Sequence, residues 1–180
     1  ILNVTAGLRV PWYRDWVLFA TLVAALVADQ LTKLAVKTSL ALGESWPADG
    51  FFRISHGTNS GSAFGLFRDQ TSILTIASLF AIGFIIYYYR AQSVRRPLTR
   101  FTVGLLLGGA LGNLVDRLRM GEVVDFIDVG PWPVFNLADS SIVVGMALLV
   151  ASVVLTGGGT RDDEHVETDA SVDPGPNGPP

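Results

Sequence analysis

The chain has 180 residues, enough for one compact domain, and is 49% apolar with only 16% charged residues, whereas soluble domains carry about 25% charged residues. The net charge of −3 is set by residues 161–180, which hold six acidic residues and one basic; the remaining body, with 10 acidic and 12 basic, is weakly basic and lacks the basic stripe of a nucleic-acid partner. The absence of cysteine and the presence of only two histidines, His56 and His165, exclude thiolate chemistry and disulfides and argue against a His-rich metal site or a Ser-His-Asp triad.

In chain order, residues 1–15 are expected to be a cytoplasmic N-terminal segment. Four runs then approach the roughly 20 apolar residues needed to cross a bilayer: about Trp16 to Val36, Ser72 to Tyr89, Phe101 to Leu118 and Ser140 to Thr156. Together they predict one four-span domain over residues 16–156. The first run is too long and too charged for a cleavable leader. Trp12, Tyr13 and Trp16 before the first span, and Tyr87, Tyr88 and Tyr89 closing the second, are expected interface anchors.

The loop carrying Arg90, Arg95, Arg96 and Arg100 predicts a cytoplasmic position by the positive-inside tendency, which brings both termini to that side. Lys37, Arg53, Arg68 and Arg119 then fall outside. Segments 37–71 and 119–139 lie on that outer side, too broken to span and too apolar for plain linkers. They are expected to fold onto the bundle rim, with Phe51 to Ile54 as a strand candidate. The acidic, Gly/Pro-rich tail 157–180 is expected to be disordered.

Ionisable groups are costly in a span and are functional candidates by default. Asp29 and Lys33 share a helix face, as do Asn113, Asp116 and Arg117. Each set reads either as a charge-compensated scaffold or as part of a catalytic centre. Gly104, Gly108, Gly109 and Gly112 predict close helix packing. In an extended Val123–Ile127 stretch, Asp125 shares the apolar side of Val123 and Ile127, while Asp128 is expected to face water. Asp139 fits a helix N-cap, a place that also favours its charged form. Asp125 and Asp139 fall at one membrane level, where two carboxylates sharing a proton can act as base and acid.

Five segments carry a resemblance: Asp29-Gln30-Leu31-Thr32-Lys33, Thr58 to Phe64, Gly108 to Arg117, Val123-Val124-Asp125-Phe126 and Phe135 to Ser140. In order and spacing they resemble the bacterial lipoprotein signal peptidase (signal peptidase II) family. The resemblance implies an all-α membrane protein, a four-helix bundle with a small extracytoplasmic strand cradle, in the bacterial inner membrane. It implies aspartic peptidase chemistry by Asp125 and Asp139, without metal or organic cofactor. Asp29, Lys33, Asn59, Asn113, Asp116, Arg117 and Asn136 match the positions that support or line the site. The implied substrates are diacylglyceryl-modified prolipoproteins, cut before the modified cysteine, among membrane lipids, with globomycin as inhibitor. Two other readings remain at this point: a Ser-Lys peptidase using Lys33 with Ser140 or Ser62, and a small transporter.

Overall fold

The computed structural model describes residues 12–61, 71–91 and 96–157. Gly157, expected to open the tail, instead ends the fourth helix; the rest of the expected tail, most of the N-terminal segment, Ser62, Arg68 and Arg95 lie outside the described residues. Four helices are long and apolar enough to cross a membrane: α1 (Trp16–Ser39), α2 (Thr71–Ala91), α3 (Pro97–Met120) and α4 (Leu137–Gly157). Each extends beyond the apolar run that announced it, because polar residues such as Lys37 and Asp139 take part in the end turns.

Three short strands form one antiparallel sheet in the order β1 (Ser45–Trp46), β2 (Phe52–Asn59) and β3 (Val123–Val129). This is the expected helical bundle with a small strand cradle.

α3 is the central helix, packed against α1, α4 and α2. Its glycines set the spacing. A methyl group on Gly108 would lie 2.7 Å from the Leu22 carbonyl oxygen and the Ala25 Cβ of α1, and one on Gly112 would lie 2.6 Å from Asp29 Oδ2. Backbones that close leave no room for side chains, so small residues are required there. α2 differs: Ile73, Ile76, Leu79, Phe80 and Phe84 are all exposed, as expected of a helix bathed in lipid. α3 ends at Gly121, which takes a left-handed φ of 78° and returns its N–H to Arg117, a stop that suits glycine.

β3 and the chain that follows it are tied together. Phe126 and Ile127 donate their N–H groups to the Phe135 carbonyl, and Phe135 donates back to Ile127. This pairing returns the chain alongside β3 just before α4 begins, so Asn136 and Asp139 come close to Asp125.

Two expectations are corrected here. Tyr89 is not an interface anchor like the exposed Tyr87; it is 2% exposed and donates to Asp15. Asp128 is buried rather than solvated. It pairs with Arg53 at 2.6 Å and accepts from Ser55, which also meets Ser45 on β1. The alternation argument failed because β3, although it pairs with β2 at the edge of the three-strand sheet, buries residues on both of its sides, so a second carboxylate there needed its own cation.

Candidate active site

The site is assembled at the start of α4. A helix N-terminus leaves N–H groups without intrahelical partners, and here side chains satisfy them. Asn136 accepts from the Asp139 N–H at 2.9 Å, and Asp139 Oδ2 accepts from the Asn136 N–H at 3.3 Å. This is a reciprocal capping box. Asp139 is therefore the third helical residue, and Asn136 the cap, which corrects the expected N-cap role of Asp139. The Ala138 N–H is taken by Asp29 Oδ1 at 2.9 Å, a carboxylate reaching across from α1.

Behind the capping box, Lys33 lies 2.8 Å from Asp29 and 2.7 Å from Asp116, and all three are almost completely buried. Its third contact is to Asn113 Oδ1 at 3.0 Å. An ammonium only donates, so the carbonyl end of Asn113 must face Lys33. That leaves the amide nitrogen of Asn113 to donate to Asp139 Oδ1 at 2.7 Å. The Asn136 amide is fixed in the same way. Its oxygen is held by the Asp139 N–H, so its nitrogen donates to Asp125 Oδ1 at 2.7 Å and to Asn113 Oδ1 at 3.1 Å. Asn59 on β2 donates to Asp125 Oδ2 at 3.1 Å. Buried polar groups are thus paired in series, from Asp29 through Lys33 and the asparagines to Asp125 and Asp139.

Asp125 and Asp139 are held differently from the buried carboxylates Asp15, Asp29, Asp116 and Asp128. Asp15 meets Arg100, Asp29 and Asp116 share Lys33, and Asp128 meets Arg53. Among the described residues, Asp125 and Asp139 receive only neutral N–H donors. Amides orient a carboxylate and favour its charged form less strongly than an adjacent cation does. Burial pushes the Asp125 carboxyl up to about 6; the Asn59 hydrogen bond opposes the rise, the Asp139 charge adds to it, and Asn136 and Lys33 oppose it again.

Both aspartates line one cleft of about 620 Å³ together with Asn59, Asn113 and Arg117. Its other wall is apolar, with Trp132, Pro133, Val134 and Phe135 from the loop after β3 and Val143 and Val144 from α4. One side of the cleft can therefore do acid–base chemistry while the other takes apolar groups. Arg117 lies in the cleft, half-buried. Asp29, Lys33, Asp116 and Asn136 do not line it; they hold the groups that do. Asp15 and Gln30 were not singled out by sequence reasoning. Gln30 donates to Asp116 at 3.0 Å and to Asp29 at 3.2 Å, and its place in the Asp29–Lys33 segment was the available signal.

The fold and cleft define a polytopic membrane protein with a paired-carboxylate site at one end of its bundle. The family model described as Signal peptidase (SPase) II matches residues 21–155, and the chain belongs to the signal peptidase II family, which makes it a peptidase. It is 44% identical over 144 residues to a lipoprotein signal peptidase of Moorella thermoacetica, covering 79% of this chain and 95% of that protein. It is 38% identical over 165 residues to one from Dehalococcoides mccartyi, covering 88% and 97%. A bacterial membrane enzyme structure determined by the in meso method at 2.3 Å superposes with a TM-score of 0.74 at 29% identity, covering 83% of this chain and 94% of that one.

Proposed function

We propose that this peptidase is an aspartic endopeptidase that removes signal peptides from prolipoproteins, cutting before the diacylglyceryl-modified cysteine with Asp125 and Asp139. The observation that carries the reading is that buried Asp125 and half-buried Asp139 face one cleft, shared with Arg117, and neither forms an ion pair among the described residues, whereas the buried Asp15, Asp29, Asp116 and Asp128 each do. Around them the charges do not balance. Asp29, Asp116, Asp125 and Asp139 outnumber Lys33 and Arg117, so retention of one proton by the aspartate pair relieves repulsion.

In this mechanism a water lies between the two carboxyl groups. Ionised Asp139 takes a proton from the water as its oxygen attacks the scissile carbonyl carbon. Protonated Asp125 donates to the carbonyl oxygen; as the tetrahedral intermediate collapses, Asp139 gives the proton it took from water to the leaving amine and Asp125 recovers a proton from the intermediate's hydroxyl. Asp125 is the proton holder because burial raises its pKa, while Asp139 lies in the first turn of α4, where the helix dipole favours negative charge. The apolar wall receives the lipid-modified residue. The protein then lies in the bacterial cytoplasmic membrane, with the site near the extracytoplasmic face and both termini cytoplasmic. Globomycin is expected to compete for the cleft.

The test is cleavage of a lipidated prolipoprotein by folded Asp125→Asn and Asp139→Asn proteins. Near-normal turnover by either variant would overturn the assignment.

The two rival readings fit less well. A Ser-Lys mechanism needs a neutral lysine beside a serine. Ser140 lines the cleft, but Lys33 does not and is clamped between two carboxylates. An ion path needs polar residues through the bundle, whereas Leu18, Leu22, Val103 and Leu107 pack together within it.

A further inference from the structure

Lys37 and Arg119 have no part in this mechanism, and their position by the sheet runs against the positive-inside tendency. They lie in the last turns of α1 and α3, both exposed, beside a groove of about 440 Å³ between those helices. The groove is separate from the carboxylate cleft. β3 alternates between them, with Val124 lining the groove and Val123 the cleft.

Three features describe what would fit. First, neither cation has a carboxylate partner among the described residues; the Lys37 ammonium lies 3.0 Å from Met120 Sδ, a weak acceptor. Lys33 and Asp116 also line the groove but are buried and offset each other as an ion pair, and the C-terminal dipoles of the two helices contribute about −0.5 charge each, so positive charge is concentrated at the exposed side of the groove, on Lys37 and Arg119. Second, the Gln30 amide nitrogen is committed to Asp29, Asp116 and the Gly112 carbonyl, so its oxygen remains to accept a hydrogen bond at the groove wall. Third, Leu31 and Leu34 are 59% and 56% exposed on the lipid side of Lys37. The 24 residues of α1 rise about 36 Å, more than the roughly 30 Å hydrocarbon core, which puts Lys37, one turn beyond Leu34, at headgroup depth.

We propose that this groove binds the headgroup of an anionic phospholipid of the surrounding bilayer. The phosphodiester lies between Lys37 and Arg119, a headgroup hydroxyl donates to Gln30, and the acyl chains run along Leu31 and Leu34. The proposal rests on insertion in a membrane and not on the peptidase chemistry.

The experiment is lipid titration of the full chain in neutral detergent, with phosphatidylglycerol and phosphatidylcholine compared by native mass spectrometry. Each basic residue at an anionic lipid contributes roughly fivefold. Wild type should prefer phosphatidylglycerol about 30-fold, Lys37→Gln about fivefold, and Lys37→Gln/Arg119→Gln not at all. Arg14→Gln, at the opposite end of the bundle, should keep the wild-type preference. A preference surviving in the double variant overturns the proposal, as does an equal loss in Arg14→Gln, which would mean bulk charge. Inorganic phosphate should not displace the lipid; displacement would make this a small-anion site and refute the lipid assignment. Asp125→Asn should bind phosphatidylglycerol like wild type, so failure of the peptidase reading and failure of this one are separable.

Discussion

The two ends of the bundle both bury carboxylates, but in different company. At the end away from the sheet, Asp15 caps α1 through Leu18, accepts from Tyr89 and meets Arg100. Those contacts join α1, α2 and α3, and the aspartate is 2% exposed. At the sheet end, Asp125 is nearly as buried, yet its partners are the amides of Asn59 and Asn136, and it faces a cleft. Burial of a charge does not by itself distinguish a joint from a reactive site. A direct cation does, because it favours the ionised form strongly, whereas at Asp125 burial outweighs the opposing amide hydrogen bonds and raises the carboxyl.

The largest effect should come from the aspartates at the sheet end. Acid–base groups contribute about 10²- to 10⁴-fold, so kcat/KM for a lipidated prolipoprotein should fall about 1,000-fold or more in Asp125→Asn or Asp139→Asn. Asp15→Asn should stay within a few-fold of wild type once folded. An equal loss in Asp15→Asn would erase the distinction between the two ends.

Next is Lys33. Its removal leaves Asp29 and Asp116 buried without a cation, and breaking such a pair costs about 3–5 kcal/mol. Lys33→Met should lower unfolding stability in detergent by about that amount. A loss under 1 kcal/mol would mean that Gln30 and the backbone donors already compensate the two carboxylates.

The pH dependence sharpens the contrast. Asp125 is raised from 3.8 to about 6, so its favourable contribution is complete below the unfolded value and is lost as pH rises through about 6. At about 1.4 kcal/mol per unit, wild type should lose roughly 2.4 kcal/mol relative to Asp125→Asn between pH 4 and pH 7. The same group should give kcat/KM a basic limb near pH 6, with the limb in kcat shifted upward when substrate dries the cleft. A stability difference independent of pH would refute the raised carboxyl.

The orienting amides should matter less than the carboxylates. Asn113→Ala removes a donor to Asp139 and an acceptor for Lys33. Hydrogen bonds to charged groups contribute about 1.5–3 kcal/mol, so activity should fall about 10- to 100-fold, with kcat more affected than KM. An unchanged kcat would show that the capping box alone holds Asp139.

Much of this architecture was legible in the chain. Apolar length gave the spans, and small residues in α3 gave the tight packing. What could not be read were the pairings between distant segments. Asp29 reaching the Ala138 N–H, and Arg53 reaching Asp128, depend on helix and strand placement that local periodicity does not encode. Asp139 resembled an N-cap because Asp and Asn both suit that position; the spacing Asn136-x-x-Asp139 was the signal for a capping box. Tyr89 was misread because it follows two other tyrosines, and only helix phase turns it inward.

The smallest effect on activity tests the joint itself. Tyr89→Phe removes one donor from Asp15 and keeps the ring in its packed position, while Leu18 and Arg100 remain as partners. A hydrogen bond to a charged group contributes about 1.5–3 kcal/mol, so stability should drop by about that much. The Asp125 and Asp139 network touches no residue of the joint, so kcat/KM should be unchanged. If kcat falls tenfold in folded Tyr89→Phe, the far end controls helix placement at the cleft, and the cation beside Asp15 marks a lever rather than a joint.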